Sequence, residues 1–192
     1  DGTKFKSLGT RIFSPTGNFT VSEARLELKK NADYRYIRVT INMGSGAFFF
    51  TDEIEVYADV PEKESPDTVE AAYSSENIDR NAWKSLSTTV PATPVDAKNL
   101  TVGSKYTFEN ADFDKRAPKE DKLLTDNTRT NQYFGDPVWV GFKSKGDKNA
   151  SLTVNLGKSH NNVYMFNVYA LGVGPDVALP DYIDVYAMKG IE

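Results

Sequence analysis

Apolar and polar residues alternate with a period of two through most of the chain, which predicts strands and leaves little room for long helices. Before residue 59 the pattern marks "TKFKSLG" (3–9), "NFTVSEARLELK" (18–29), "YRYIRVTINM" (34–43) and "FFFTDEIEVYA" (48–58). Tyr34, Tyr36 and Arg38 alternate with Arg35, Ile37 and Val39, so both faces of that strand carry packing residues. Ile54 and Val56 point one way while Glu53, Glu55 and Tyr57 point the other. The pattern resumes after Asn99 in "SKYTFENA" (104–111), "DKLLTDN" (121–127), "VWVGFK" (138–143), "ASLTVNLG" (150–157), "NVYMFNVYAL" (162–171) and "DYIDVYAM" (181–188). Turn chemistry separates them at Gly135-Asp136-Pro137, Gly146-Asp147, Gly157-Lys158 and Gly172 to Pro175. Many short strands at even spacing predict an all-β fold, a sandwich or jelly roll.

Residues 59–98 read differently, with four prolines among Ser, Thr and acidic residues. The ends of this stretch read as linker. Asp67 with Glu70 three residues on has the form of a capping box, so one or two short helical turns are expected between Asp67 and Leu86, with Trp83 tucked against a neighbour. The expected domain is therefore residues 1–58 plus 99–192, with 59–98 as its bridge. The chain opens on an Asp-Gly turn signal and ends on a strand, so Glu192 reads into Asp1 as strand, turn, strand.

Composition narrows the chemistry. A formal charge of −4 and a pI of about 5.2 give no basic field for nucleic acid. No apolar run approaches the roughly 20 residues that span a bilayer. With no cysteine there are no disulfides and no thiolate ligands or nucleophiles. His160, the single histidine, lies in a predicted turn, "GKSHNNV", and reads as solvated and not as a general base. No nucleophile elbow surrounds a serine and no phosphate loop precedes a helix, so an enzyme is not expected. "DFDKRAPKEDK" (112–122) reads as a solvated charged loop.

Two segments resemble one family, the discoidin or coagulation factor V/VIII C-type domains. Leu124-Thr125-Asp126-Asn127, Trp139, Val154-Asn155-Leu156-Gly157 and Pro180 to Tyr186 are similar to the front half of that family. Asp1-Gly2 with Phe5, Arg35-Tyr36-Ile37-Arg38-Val39 and Glu53-Ile54-Glu55-Val56-Tyr57 are similar to its back half. The halves stand in reversed order, as in a cut from a tandem array or a permuted domain, and only 59–98 falls outside the resemblance. A half sandwich exposes its inner face. The halves are thus expected to close on each other in one discoidin-like jelly roll, or to pair between chains in a domain-swapped dimer.

The resemblance implies a structural calcium. Asp126 and Glu53 would give carboxylates, Leu123, Thr128 and Asp52 backbone carbonyls, and Asn131 would stand where the family often has Thr; the alternative is an Asx turn beside a solvated Glu53. Asn127 replaces the family's usual Gly and would need a left-handed conformation. The resemblance also implies a non-catalytic carbohydrate-binding module of a larger extracellular or cell-surface bacterial protein. Its glycan would meet loops at one end, here 108–118, 127–137 and 44–50. Aromatic candidates are Phe48, Phe49, Tyr133 and Phe134, and polar ones Arg129, Asn131, Arg116 and Asp136. If Phe48 and Phe50 face the core, Phe49 is left on the surface; otherwise all three pack under the loop. An adhesion module that binds a protein or cell surface, or a spacer without ligand, would use the same fold.

Overall fold

The computed structural model describes residues 4–13, 20–44, 46–59, 97–114, 122–129, 137–174 and 176–190. They form an all-β structure with strands β1 (Lys6–Arg11), β2 (Thr20–Asn42), β3 (Phe49–Asp59), β4 (Ala97–Asn99), β5 (Lys105–Glu109), β6 (Ala111–Phe113), β7 (Val140–Ser144), β8 (Ala150–Gly172) and β9 (Tyr182–Met188). A short 3-10 turn, Leu123–Thr125, is the helical element among them.

The architecture follows from β2 and β8, each 23 residues long and antiparallel to one another. Their register is broken between Glu27 and Tyr36, and there both strands bend. On one side of the bend, the second half of β2 pairs with β9 (Tyr36 opposite Met188, Asn42 opposite Tyr182) and with the first half of β8. β1 extends this first sheet beyond β9, and β5 extends it beyond β8. On the other side, the first half of β2 pairs with the second half of β8, and β3, β7 and β6 follow in order. β4 lies against the end of β3. One curled antiparallel sheet thereby doubles over as two layers.

Alternation fixes the inner faces. Ile37, Val39, Ile41, Leu152, Val154, Ile183, Val185 and Ala187 come from the first layer, and Ala24, Leu26, Ile54, Val56, Phe166, Val168 and Phe142 from the second; all are buried in one core. Fully burying a side chain of this size contributes about 1.5–3 kcal/mol.

The second layer also buries its outer face. Phe50, Trp139, Leu171 and Val177 form one cluster there, and Tyr57, Ala97 and Met165 another. Phe50 lies directly opposite Gly141 of β7, and its ring occupies the space that a Cβ on Gly141 would fill.

Several expectations change. Within "DKLLTDN", Leu123–Thr125 is a 3-10 turn, because Lys122 at φ 87° and Asn127 at φ 64° reverse the chain where a strand would extend it. From Thr20 on, the two runs expected at 18–29 and 34–43 are one strand, Thr20–Asn42, and "ASLTVNLG" and "NVYMFNVYAL" likewise belong to one strand, Ala150–Gly172. Gly157, at φ 82°, makes a bend inside β8 where a turn was expected. Ala97–Asn99 pairs with Tyr57–Asp59, so strand begins inside the stretch read as linker. The helical turns expected between Asp67 and Leu86, Trp83, Asp1 and Glu192 all lie outside the described residues. Within one chain, β1 runs antiparallel to β9 with Lys6 opposite Ala187.

The packing of Phe50 on Gly141 yields a test. A Cβ at residue 141 would lie 2.4 Å from Phe50 Cζ and 2.6 Å from Cε2, and Trp139 and Leu171 hold the ring in place. Gly141→Ala is expected to destabilise the fold by about 1–3 kcal/mol, read as a lower urea midpoint with unchanged slope. An unaltered midpoint would show that the ring moves freely.

Candidate functional site

The third strand carries the chemistry. Thr51, Asp52, Glu53 and Glu55 are all buried, a dense set of polar side chains for one strand. A bulge explains how they fit. Thr51 pairs with Ala170 and Ile54 with Val168, so β3 spends three steps where β8 spends two. The extra residue turns Asp52 and Glu53 out of the ordinary alternation. Ile54 then returns to the core, and Glu55 comes to lie on the outer face opposite Asn167.

Against this bulge packs the 122–129 turn. Leu124 anchors it in the core at 0% exposure. Thr125 Oγ1 donates to the Ser104 carbonyl at 2.8 Å, and the Gly103 N–H donates to the Thr125 carbonyl at 2.7 Å. The Thr128 N–H donates to Asp126 Oδ1 at 2.8 Å, an Asx turn. Asn127 takes the left-handed conformation that its position requires, and its side-chain oxygen accepts from Asn99 Nδ2 at 3.4 Å.

Glu53 is the anomaly. It is 0% exposed, and neither carboxylate oxygen makes a hydrogen bond of ordinary geometry. Burial pushes its pKa well above the usual carboxylate value, and the neighbouring Glu55, Asp52 and Asp126 push it the same way. The Asn127 backbone N–H opposes them. A buried carboxyl without partners costs several kcal/mol if ionised, so it stays protonated or holds a cation.

Glu53 and Asp126 have the donor chemistry of a hard-cation site. Among the described residues no three acidic or histidine side chains converge as ligands. An ion here would therefore need oxygens beyond the two carboxylates, from the backbone of Leu123, Thr128 or Asp52. Asn131, the remaining expected ligand, lies outside the described residues. The orphaned oxygens of Glu53 fit such an ion; a solvated Glu53, the alternative open in the sequence, does not match its burial.

Beside this pair sits a charged network that the sequence did not reveal. Tyr169 Oη donates to Glu55 Oε2 at 2.9 Å, and Arg129 Nη1 donates to Tyr169 Oη at 2.9 Å. Arg129 Nε stands 3.7 Å from Glu55 Oε1, and Asn167 Nδ2 donates to Glu55 Oε2 at 3.3 Å. The guanidinium also lies 4.8 Å from the centre of the Tyr169 ring. Burial, the largest influence, would lower the Arg129 pKa, but Glu55, Tyr169, Tyr57 and Asp52 together outweigh it and the net direction is upward. Burial, then Glu55, drives the Tyr169 phenol up as well, so it remains a donor. The available signal was Asn167, a polar residue inside the apolar run Val163 to Leu171 of β8.

This network corrects one expected role: Arg129, read as a rim residue, is 7% exposed and fastened to Glu55. Phe49 is corrected too. At 0% exposure it lies in the main core, tilted against Phe13 and edge-on to Phe142 at 5.5 Å. The alternation runs opposite to the expected one, because Phe49 takes the inner face and Phe50 the outer. Phe48 alone of the three reaches the surface, half-buried, with Lys143 Nζ 5.0 Å from its ring centre. Tyr133, Phe134, Arg116 and Asp136 lie outside the described residues. His160 sits opposite Tyr34 in the bend of β8, at the far end of the sandwich from Phe48.

The raised pKa of Glu53 gives a signed pH dependence. A folded-state pKa above the unfolded one means that the native state binds more protons, so this stability is full below about pH 4.5 and is lost as pH rises toward the folded value. With a chelator present, Glu53→Gln should therefore gain on the wild type in melting temperature as pH rises from 4 to 8. A constant difference across that range would contradict the buried carboxyl. Breaking the neighbouring ion pair with Arg129→Ala should cost about 3–5 kcal/mol in urea unfolding, because Glu55 is left buried without its cation.

A scan against protein-family models finds no match to this chain, and searches of the curated proteins and of the solved structures likewise return none.

Proposed function

We propose that this chain is a non-catalytic, discoidin-like carbohydrate-binding module of a larger extracellular bacterial protein, with a structural calcium between β3 and the 122–129 turn. The observation that carries the reading is the fully buried Glu53, whose carboxylate has no hydrogen bond of ordinary geometry and only the Asn127 backbone N–H to oppose its burial, facing the turn that bears Asp126. In this reading calcium neutralises the two carboxylates and locks the 122–129 turn. Glu53 and Asp126 supply charge; Leu123, Thr128 and Asp52 supply carbonyl oxygens; Asn131 completes the shell. Glycan would meet the loops at the Phe48 end, where the half-buried ring and Lys143 offer a stacking face beside a charge. Tyr133, Phe134 and Asn131 belong to the same proposed rim.

A second reading, adhesion to a protein or cell surface, draws support from Ile12 and Phe113, which are 71% and 48% exposed at that same end. Among the described residues no helix is long and apolar enough to cross a membrane.

For the metal, added calcium should raise the melting temperature of chelator-treated protein, by about 2.7 kcal/mol of stability at a hundredfold excess over Kd. Asp126→Ala should lose that response. A wild type whose melting ignores both chelator and calcium would remove the ion from the proposal. For the ligand, glycan-array binding should fall about fivefold to tenfold in Phe48→Ala, the loss of one stacking contact, with melting little changed. Binding that survives intact would move the site away from Phe48. Capture by liposomes in the absence of glycan binding would favour the adhesion reading.

A further inference from the structure

At the opposite end of the sandwich from Phe48 there is a pocket of about 560 Å³, in the size range of small-ligand sites. Four segments build it, and only the doubled-over sheet brings them together. They are the start of β1 (Lys4, Lys6), the bend of β2 (Asn31 to Tyr34), the bend of β8 (Asn161) and the end of β9 (Ala187 to Lys189).

Its charge runs against that of the molecule. Lys4, Lys6 and Lys189 face one acid, Asp33, so the lining carries +2 in a chain of −4. Asp33 holds Lys189 at 3.4 Å, whereas Lys4 and Lys6 are in no ion pair with any described residue. Lys98 and Lys158 add to the positive field nearby: after burial, they are what holds His160 below its ordinary pKa. Around the charges stand neutral groups. Asn31 donates to the Asp59 carboxylate, which fixes its amide, and Asn161 is exposed. Tyr34, half-buried against the core, lines the pocket together with Ala187 and Met188.

We propose that this pocket is a second binding site, one for an acidic saccharide whose carboxylate or sulfate is held by Lys4, Lys6 and Lys189. Ammonium groups make charge-assisted hydrogen bonds to such an anion. Tyr34 gives a sugar ring a flat apolar face, and the two amides suit hydroxyls, which both donate and accept. A free inorganic anion would have no use for the ring or the amides. A nucleic acid would meet a chain of net negative charge outside this small pocket. The site goes beyond the glycan rim proposed above and does not depend on it.

The test is calorimetric titration with a sulfated chondroitin disaccharide and with trigalacturonate, against neutral cellotriose. Both acidic probes should bind, at least about tenfold more tightly than cellotriose. The affinity should fall steeply as salt screens the charges. The double variant Lys6→Gln, Lys189→Gln should lose about tenfold or more, as expected for two charge-assisted contacts. Lys148→Gln, on the turn between β7 and β8, should bind as the wild type does. These lysines are exposed, and unchanged melting temperatures will show that the variants fold. Equal binding of cellotriose, an equal loss in Lys148→Gln, or no heat from either acidic probe at ~10 mM, well beyond the range of specific sites, would overturn the proposal. Loss of acidic-sugar binding in Phe48→Ala but not in the double variant would also overturn it, and would leave the rim reading standing.

Discussion

Two strands hold this molecule together. β2 and β8 each run through both layers, and each would extend about 76 Å if straight, at roughly 3.3 Å per residue. No small domain holds a strand of that length flat. They bend together, and the bend turns a single ladder into two facing sheets while keeping the inward residues inward. Leu26 and Ile37 belong to one strand yet face one another's layer across the same core. Every other strand is added to the margins of this pair, so the register of β2 on β8 sets the position of the rest.

A consequence appears on β3, which is buried along nearly its whole length because both faces of its layer are covered. Such a strand would ordinarily be filled with Val and Ile. This one carries three carboxylates in four residues, Asp52, Glu53 and Glu55. Glu55 is reconciled with burial by Arg129, Tyr169 and Asn167, whereas Glu53 is reconciled by nothing of comparable strength within the described residues. Buried charge of this kind is weak ground for stability, since well-packed apolar residues often serve as well or better. Its persistence on β3 is more naturally tied to the turn that it holds.

The all-β class, most strand cores and the shared face of Ile54 and Val56 were legible in the alternation, because a half-buried strand must display that period. The left-handed conformation of Asn127 was expected from the resemblance, which places it where the family usually has Gly, and Asn127 adopts it at φ 64°. What could not be read were events that interrupt the period. The bulge at Asp52–Glu53 shifts the alternation by one residue, and no local composition announces it. The faces of Phe49 and Phe50 were inverted for a related reason: both are buried, on opposite sides of a sheet covered twice, so apolarity could not tell inside from outside. The length of β2 and β8 was hidden by "KKNADYR" and "GKSHNN", polar enough to pass for turns although they are bends within a continuous ladder. Arg129 met Glu55 across a gap in sequence that no pattern spans.

The antiparallel seating of β1 on β9 has a mechanical side. Lys6 and Ala187 stand opposite one another, so a pull applied through those two strand ends acts at one edge of the ladder, across the strands and along its hydrogen bonds. Bonds loaded in that way part singly, like a zip, and do not resist as a group in shear. Under tension between those ends, β1 is the first element to peel, and the two-strand frame behind it is left intact.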